Sequence, residues 1–409
     1  MRRFPAAVGA VLILAAVALS GCVSGALTTA RHELHRGNPE AAAEALADAD
    51  TVSRRDRLLY YMEKGVVLHH LGRYEESSRV LLAASRLMEE QEVISASRQT
   101  ASMVTNDWVT EYKGEYSERL WVHTYLMMNF LLSYRFDAAL VEAKQALKMM
   151  EAHPEALAGD YYTRALIGLC FEVLRDRDDA YIAYRKLAED LPDPSGIAPV
   201  LYRLARRLGY GPEADRYRRM IPAGARVETS GPTAELVLFV SAGQGPVKIP
   251  GNIVLPPSIR FSFPQYRLRN GPAVQVLAYA EGRPLQGVAV TTDVGAVARA
   301  ALDARAAAMM AKETARAALK EAVARAVEHN NDDIFGILVR AAFFLMEEPD
   351  TRGWETLPGT FQLARFIVPA GADRLTVRVT GGGTRTEIPL TGVRAAPGGW
   401  IFRSVRVSR

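Results

Sequence analysis

Apolar residues recur three and four apart from about Thr28 to Ile221, and past Pro222-Ala223-Gly224 they recur instead in short β-branched and aromatic runs. The first spacing predicts amphipathic helices and the second predicts strands divided by Gly and Pro. The texture changes once, near residue 222, which marks a domain boundary.

The helices of the first part come in pairs. Tyr61, Gly65, Leu68, Gly72, Tyr74, Ser77, Leu81 and Ala84 make the clearest unit. Its Leu71-Gly72-Arg73-Tyr74-Glu75-Glu76-Ser77 resembles the turn and second-helix start of a tetratricopeptide repeat. Gly168 with Asp178-Asp179-Ala180 and Pro192 forms a second unit, and Leu208-Gly209 with Pro212-Glu213-Ala214 a third. Taking Ala41, Ser77, Ala139, Ala180 and Ala214 as the small positions where helices cross gives spacings of 36, 62, 41 and 34 residues. The irregular values imply insertions in a tetratricopeptide-like α-solenoid. Such an array exposes a concave groove, a usual place to hold a peptide or protein.

Strands are expected at Glu235 to Ser241, Ile259 to Tyr266, Val274 to Ala280, Val288 to Thr292, Gln362 to Val368, Arg374 to Thr380, Thr384 to Leu390 and Trp400 to Val407. Gly381-Gly382-Gly383 between two alternating runs reads as a hairpin. The natural assembly is an antiparallel β-sandwich-like domain. It is interrupted by an Ala-rich helical hairpin, Asp293 to about Glu328 and then Ile334 to Met346. The class is α+β multidomain: signal peptide 1–21, tether 22–27, helical repeats 28–222, β domain 233–292 plus 350–409, and helical insertion 293–349.

The extreme N-terminus sets a compartment. Arg2-Arg3, an apolar run from Ala6 to Leu19 and then Leu19-Ser20-Gly21-Cys22 match a bacterial lipoprotein signal peptide, with Cys22 the lipidated first residue. The run is shorter than the roughly 20 residues a spanning helix needs. Val23 and Ser24 follow Cys22 with no Asp between. By resemblance to sorted Gram-negative lipoproteins, that pattern implies the outer membrane, with the body facing the periplasm. Composition fits a folded body on a tether, at 49% hydrophobic and 23% charged residues. The formal charge of +4 includes Arg2 and Arg3, and no basic run carries interleaved aromatics, so nucleic acid is not an expected partner. With Cys22 acylated, Cys170 alone is left, and its apolar helical setting reads as a structural thiol.

The longest departure from the repeat, Ser95 to Val122, is polar and aromatic at once. Trp108, Glu111, Tyr112, Glu115, Tyr116, Glu118, Arg119 and His123 are its candidate partner-binding residues, because rings beside carboxylates suit a recognition surface. Trp108, Tyr112 and Tyr116 also lie four apart, the spacing of one packed helix face, and both readings stand. Enzymatic signatures are poor. His32-Glu33-Leu34-His35 lacks metalloprotease spacing, His69-His70 point to different helix faces, and Gly243-Gln244-Gly245-Pro246-Val247-Lys248 opens no helix. That last string continues through Ile249-Pro250-Gly251 as an irregular loop. No cofactor or metal is expected, and His123 with Glu115 or Glu118 is the one set with catalytic potential.

Four strings together carry a wider likeness: Tyr112 to Glu118, Asp137 to Ala143, Gly243 to Lys248, and Asp350-Thr351-Arg352-Gly353-Trp354-Glu355-Thr356-Leu357-Pro358-Gly359. With them the chain resembles an uncharacterised bacterial family of tetratricopeptide-like outer-membrane lipoproteins. That resemblance implies envelope assembly and brings no catalytic residue. Read from the residues, Asp350 and Arg352 pair across a helix-to-strand joint and Trp354 stacks beneath the hairpin. The expected role is a protein-binding adaptor, membrane-held by lipid and not an enzyme. The alternative is a glycan or peptidoglycan binder using Trp354 and Trp400.

Overall fold

The computed structural model describes residues 24–97, 111–222, 231–255, 259–269, 273–305, 309–310, 321–322, 325, 349–381 and 383–407. Cys22, Trp108 and the Ile334 to Met346 helix fall outside them. The described helices form pairs. They are α1 (Gly25–His35) with α2 (Pro39–Ala45), α3 (Arg57–His70) with α4 (Tyr74–Ser97), and α5 (Tyr116–Leu132) with α6 (Phe136–Ala152). After the short α7 (Pro154–Leu157) come α8 (Tyr161–Val173) with α9 (Arg177–Asp190), and α10 (Ala198–Leu208) with α11 (Gly211–Met220).

Each pair turns on one left-handed residue: Gly37, Gly72, Tyr134, Arg175 and Gly209, with φ from 56° to 81°. Five residues on stands a buried small side chain: Ala42, Ser77, Ala139, Ala180 or Ala214. The first small position is therefore Ala42 and not Ala41, because the turn residue sets the phase of the helix that follows it. Close crossing explains the glycines on the first helices. A Cβ on Gly65 would lie 2.4 Å from Leu81, and one on Gly168 would lie 2.6 Å from the Tyr184 ring.

The strands form a four-stranded sheet in the order β10-β1-β7-β6, a second in the order β5-β4-β8-β9, and a separate β2-β3 hairpin. Their ranges are β1 Thr233–Ala242, β2 Val247–Leu255, β3 Ile259–Arg267, β4 Gln275–Ala280, β5 Arg283–Pro284, β6 Gly287–Asp293, β7 Thr360–Pro369, β8 Leu375–Gly381, β9 Thr384–Leu390 and β10 Trp400–Val407. Alternate residues of the first sheet divide between two cores. Val237, Phe239, Phe361, Leu363 and Phe402 join the helices in one apolar cluster. Leu236, Leu238, Val240, Phe366, Ile401 and Val405 meet Ala278, Leu375, Val377 and Val379 of the second sheet. The order of layers is helices, mixed sheet, antiparallel sheet.

Two expectations are corrected. The sheets are not all antiparallel, since β1 and β10 run parallel from Glu235 opposite Trp400 to Ala242 opposite Val407. The unbroken apolar run Leu236-Val237-Leu238-Phe239-Val240 marks a strand buried on both faces, the setting in which parallel pairs occur. Nor does the irregular stretch continue through Gly251: Gly243 to Pro246 do turn, but Val247–Leu255 is a strand with Pro250 facing Pro264. A two-stranded hairpin tolerates Pro, having no central ladder to lose. Of the expected insertion, the longest described part is a helix over 294–305, α12, whose Val294, Val297, Ala298 and Ala301 enter the helical core.

The inner row, α1, α3, α5, α8 and α10, faces the sheet. Tyr162 of α8 stacks on Phe361 at 5.1 Å, and Trp121 of α5 lies 6.3 Å from the same ring. Helix α5 is buried nearly all round, with Ser117, Glu118 and every residue from Leu120 to Leu131 inside. It is covered by helices on one side and by the sheet on the other. Gly168→Ala should lower stability by about 1–3 kcal/mol despite the better helix propensity of Ala, because the Tyr184 ring has no room to yield. Urea unfolding of the full chain, with the midpoint falling and the slope unchanged, would check it.

Candidate functional site at the joint of helices and sheet

The residues singled out in two distant strings, Tyr112 to His123 and Asp350 to Trp354, meet in one buried polar cluster. Glu118 lies in the first turn of α5, where the helix dipole favours a carboxylate. It accepts from the Glu115 N–H at 2.8 Å, the Trp354 N–H at 2.9 Å and the Tyr112 hydroxyl. Burial, with the Glu118 charge beside it, pushes the Tyr112 phenol well up and keeps it a donor.

Glu115 pairs with Lys248 at 2.8 Å and with Arg305 of α12. Burial opposes both charges of the lysine pair, yet attraction prevails. Lys248 and Arg305 hold the Glu115 carboxyl below its usual range, and Glu115 holds Lys248 above its own. Glu63, in the middle of α3 and fully buried, takes Arg31 of α1 at 2.8 Å and the N–H groups of Glu355 and Thr356 at 3.2 Å each. Arg31 also reaches the Gly353 carbonyl at 2.8 Å and Glu355 at 2.9 Å. Arg352 bridges Asp56 at 2.8 Å and Asp350 at 2.7 Å. Trp354 is buried 5.8 Å from the Tyr125 ring, with its indole N–H on Thr356 at 3.1 Å.

Two further polar nodes lie along the same joint. Asp160 accepts from the Trp121 indole at 2.9 Å and the Thr163 hydroxyl at 2.8 Å, with Thr292 of β6 at 3.3 Å. Arg365 of β7 holds Glu172 of α8 at 2.8 Å, the Tyr184 hydroxyl at 2.8 Å and Glu235 of β1 at 2.5 Å.

Tyr112, Glu115, Glu118 and His123 therefore do not line an open groove. Their polar groups are taken by partners within the chain: Lys248 of β2 and Arg305 of α12 for Glu115, Tyr112 and the Trp354 N–H for Glu118, and Glu142 of α6 for His123. His123 bonds Glu142 at 2.7 Å, both buried, and not Glu115 or Glu118, so the catalytic set does not assemble. Tyr116 stacks on His153 at 3.7 Å, and Arg119 pairs with Glu92. Glu111 stays exposed, 3.9 Å from Arg54. The sugar-binding pair fails too: Trp354 is inside, and Trp400 is half-buried with Phe402 stacked at 6.0 Å and the Arg365 guanidinium over its face at 5.5 Å. Among the described residues no group of three His, Cys, Asp or Glu side chains could hold a metal ion. Sequence reading missed Arg31, Glu63, Lys248 and Arg305. A carboxylate amid Leu58, Leu59, Tyr60 and Met62 was the available signal for Glu63.

No family model and no curated protein matches this chain. Solved structures similar to it include MamA 41-end from Desulfovibrio magneticus RS-1, at 16% identity and a TM-score of 0.34 over 49% of this chain and 93% of that one. A MamA RS-1 double mutant gives 16% and 0.35, over 49% of this chain and 94% of that one. The apo form of RapI gives 12% and 0.37, over 47% of this chain and 51% of that one. The helical-repeat description stands on the paired helices and their turns, not on these likenesses.

Glu63, Glu115 and Glu118 of the main cluster each have charged or hydrogen-bonding partners within the chain. Glu115→Gln should cost about 3–5 kcal/mol at neutral pH by leaving Lys248 buried without its counter-charge. Since the folded pKa of Glu115 is depressed, its contribution is full above about 4.3, the ordinary Glu value, and is lost as pH falls through the lower folded value. Urea midpoints measured from neutral to acid pH should converge for the two proteins at the acid end.

Proposed function

We propose that this chain is a periplasm-facing, outer-membrane lipoprotein that acts as a non-enzymatic, protein-binding scaffold in an envelope assembly, secretion or polymer-export system. The observation that carries the scaffold reading is the joint itself. A helical-repeat array has its inner row packed against the chain's own β elements and is tied by buried ion pairs to β2, to the stretch before β7 and to β7. Such a body offers its outer row and its sheet edges to partners. On the outer row, Val141 of α6 and Ile182 of α9 stand at equivalent repeat positions, two residues after Ala139 and Ala180, and are 57% and 51% exposed. The membrane reading rests on the Leu19 to Cys22 string. Among the described residues no helix is long and apolar enough to cross a bilayer.

Photo-crosslinking in cells from probes at Val141 and Ile182 should give one discrete protein adduct, identified by mass spectrometry. Adducts to glycan alone, or none from either site, would sink the scaffold reading. Cys22→Ala should abolish palmitate labelling and move the chain from the membrane fraction to the soluble one; unchanged fractionation would refute the lipid anchor.

A further inference from the structure

Strand β10 is an edge of the mixed sheet, and its hydrogen bonds to β1 run from Glu235 N–H on Gly399 to Gly243 N–H on Val407. In a parallel ladder the bonded residues alternate, so Gly399, Ile401, Arg403, Val405 and Val407 face β1. Trp400, Phe402, Ser404 and Arg406 then turn their backbone groups outward. The first half of this edge is capped. The Trp400 carbonyl accepts the Tyr134 hydroxyl at 3.4 Å, and the Phe402 carbonyl accepts the Arg403 guanidinium at 2.8 Å. At Ser404 and Arg406 no backbone partner covers the outward groups among the described residues. Proteins ordinarily cover or blunt such an edge, because it is a template for another strand.

A cavity of about 320 Å³ opens at this uncapped stretch, lined by residues 388–391 of one sheet and 403–406 of the other. Leu390 and Val405 supply an apolar wall. Across the cavity β9 is also an edge, but Pro389 deprives it of a donor there, so β10 is the better template. The charge is one-sided. Neither Arg403 nor Arg406 has a carboxylate partner among the described residues, and the Arg406 Nε is buried without an acceptor.

We infer that Ser404 and Arg406 of β10 form a docking site for a short acidic, extended segment of a partner protein, which adds to the mixed sheet as a strand. Main-chain bonds to the N–H and C=O groups of both residues would hold it. Its apolar side chains would enter the cavity by Leu390 and Val405, and its carboxylates would compete for the Arg403 guanidinium. This assignment rests on the scaffold reading and names one of its surfaces.

The test uses the full chain and a fluorescein-labelled hexapeptide of alternating Glu and Val, followed by fluorescence anisotropy. Saturable binding is expected, weaker by about tenfold or more for the Lys/Val counterpart, the scale of one charge-assisted contact. N-methylation of alternate peptide amides should abolish it, since a charge contact alone would survive that change. Arg403→Glu should weaken the acidic peptide about tenfold or more and favour the basic one; Arg403→Gln serves if the reversal disturbs folding. Hydrogen exchange should slow at the Ser404 and Arg406 amides when the peptide is bound. No saturation at millimolar peptide, equal binding of the N-methylated peptide, or indifference to both Arg403 variants would overturn the site. Protein adducts still formed from Val141 and Ile182 in that case would discard the edge while leaving the scaffold.

Discussion

Glu118 accepts hydrogen bonds from Tyr112, from the backbone of Glu115 and from the backbone of Trp354, and the last of these lies 236 residues away in sequence. A buried carboxylate is costly unless its acceptor sites are used, so these segments must arrive together or the cost stands uncompensated. The same condition governs Glu63, whose partners come from α1 and from the stretch before β7, and Glu115, whose partners come from β2 and α12. The seating of the helices against β2, α12 and the stretch that leads into β7 depends on this one requirement. Apolar contact favours the layering; the carboxylates select which residues face each other.

That selection changes what the repeat array is for. In an open solenoid the first helices of the pairs would line a groove for a ligand. Here Arg31, Glu63, Trp121, Tyr162 and Arg203, one from each inner helix, are already engaged with the sheet or with the stretch leading into it. The chain occupies its own groove. On the proposed scaffold role, partner contact falls to the outer helices and to the strand edges, surfaces backed by a joint that ion pairs and packed rings hold.

The two faces of β1 show how a single strand can join such layers. Val237 and Phe239 enter the helical core while Leu236, Leu238 and Val240 enter the core between the sheets. A residue slip in its register would exchange those sets. Glu235, at its start, is held by Arg203 from the helices and by Arg365 from β7, which pins the strand against that slip.

The helical repeat was legible in the sequence, since Gly72, Gly209 and the small residues that follow them mark turns and crossings that depend on neighbours a few positions away. Most strand positions were legible too, because alternation and β-branched runs are local signals. The first crossing falls at Ala42 and not Ala41 because the turn at Gly37 sets it, and the strand around Pro250 is hidden because Pro and Gly weaken the local strand pattern. What tertiary structure alone decided is the fate of the polar residues. Tyr112, Glu115, Glu118 and His123 have the composition of an exposed recognition surface, and a sequence does not state which carboxylate finds Lys248 or Trp354. Ionic pairing acts across a few ångströms of space with no regard to chain distance, whereas periodicity records only which face of a local element is apolar. The pattern of faces was therefore written along the chain, and the choice of what each face meets was made when the chain closed on itself.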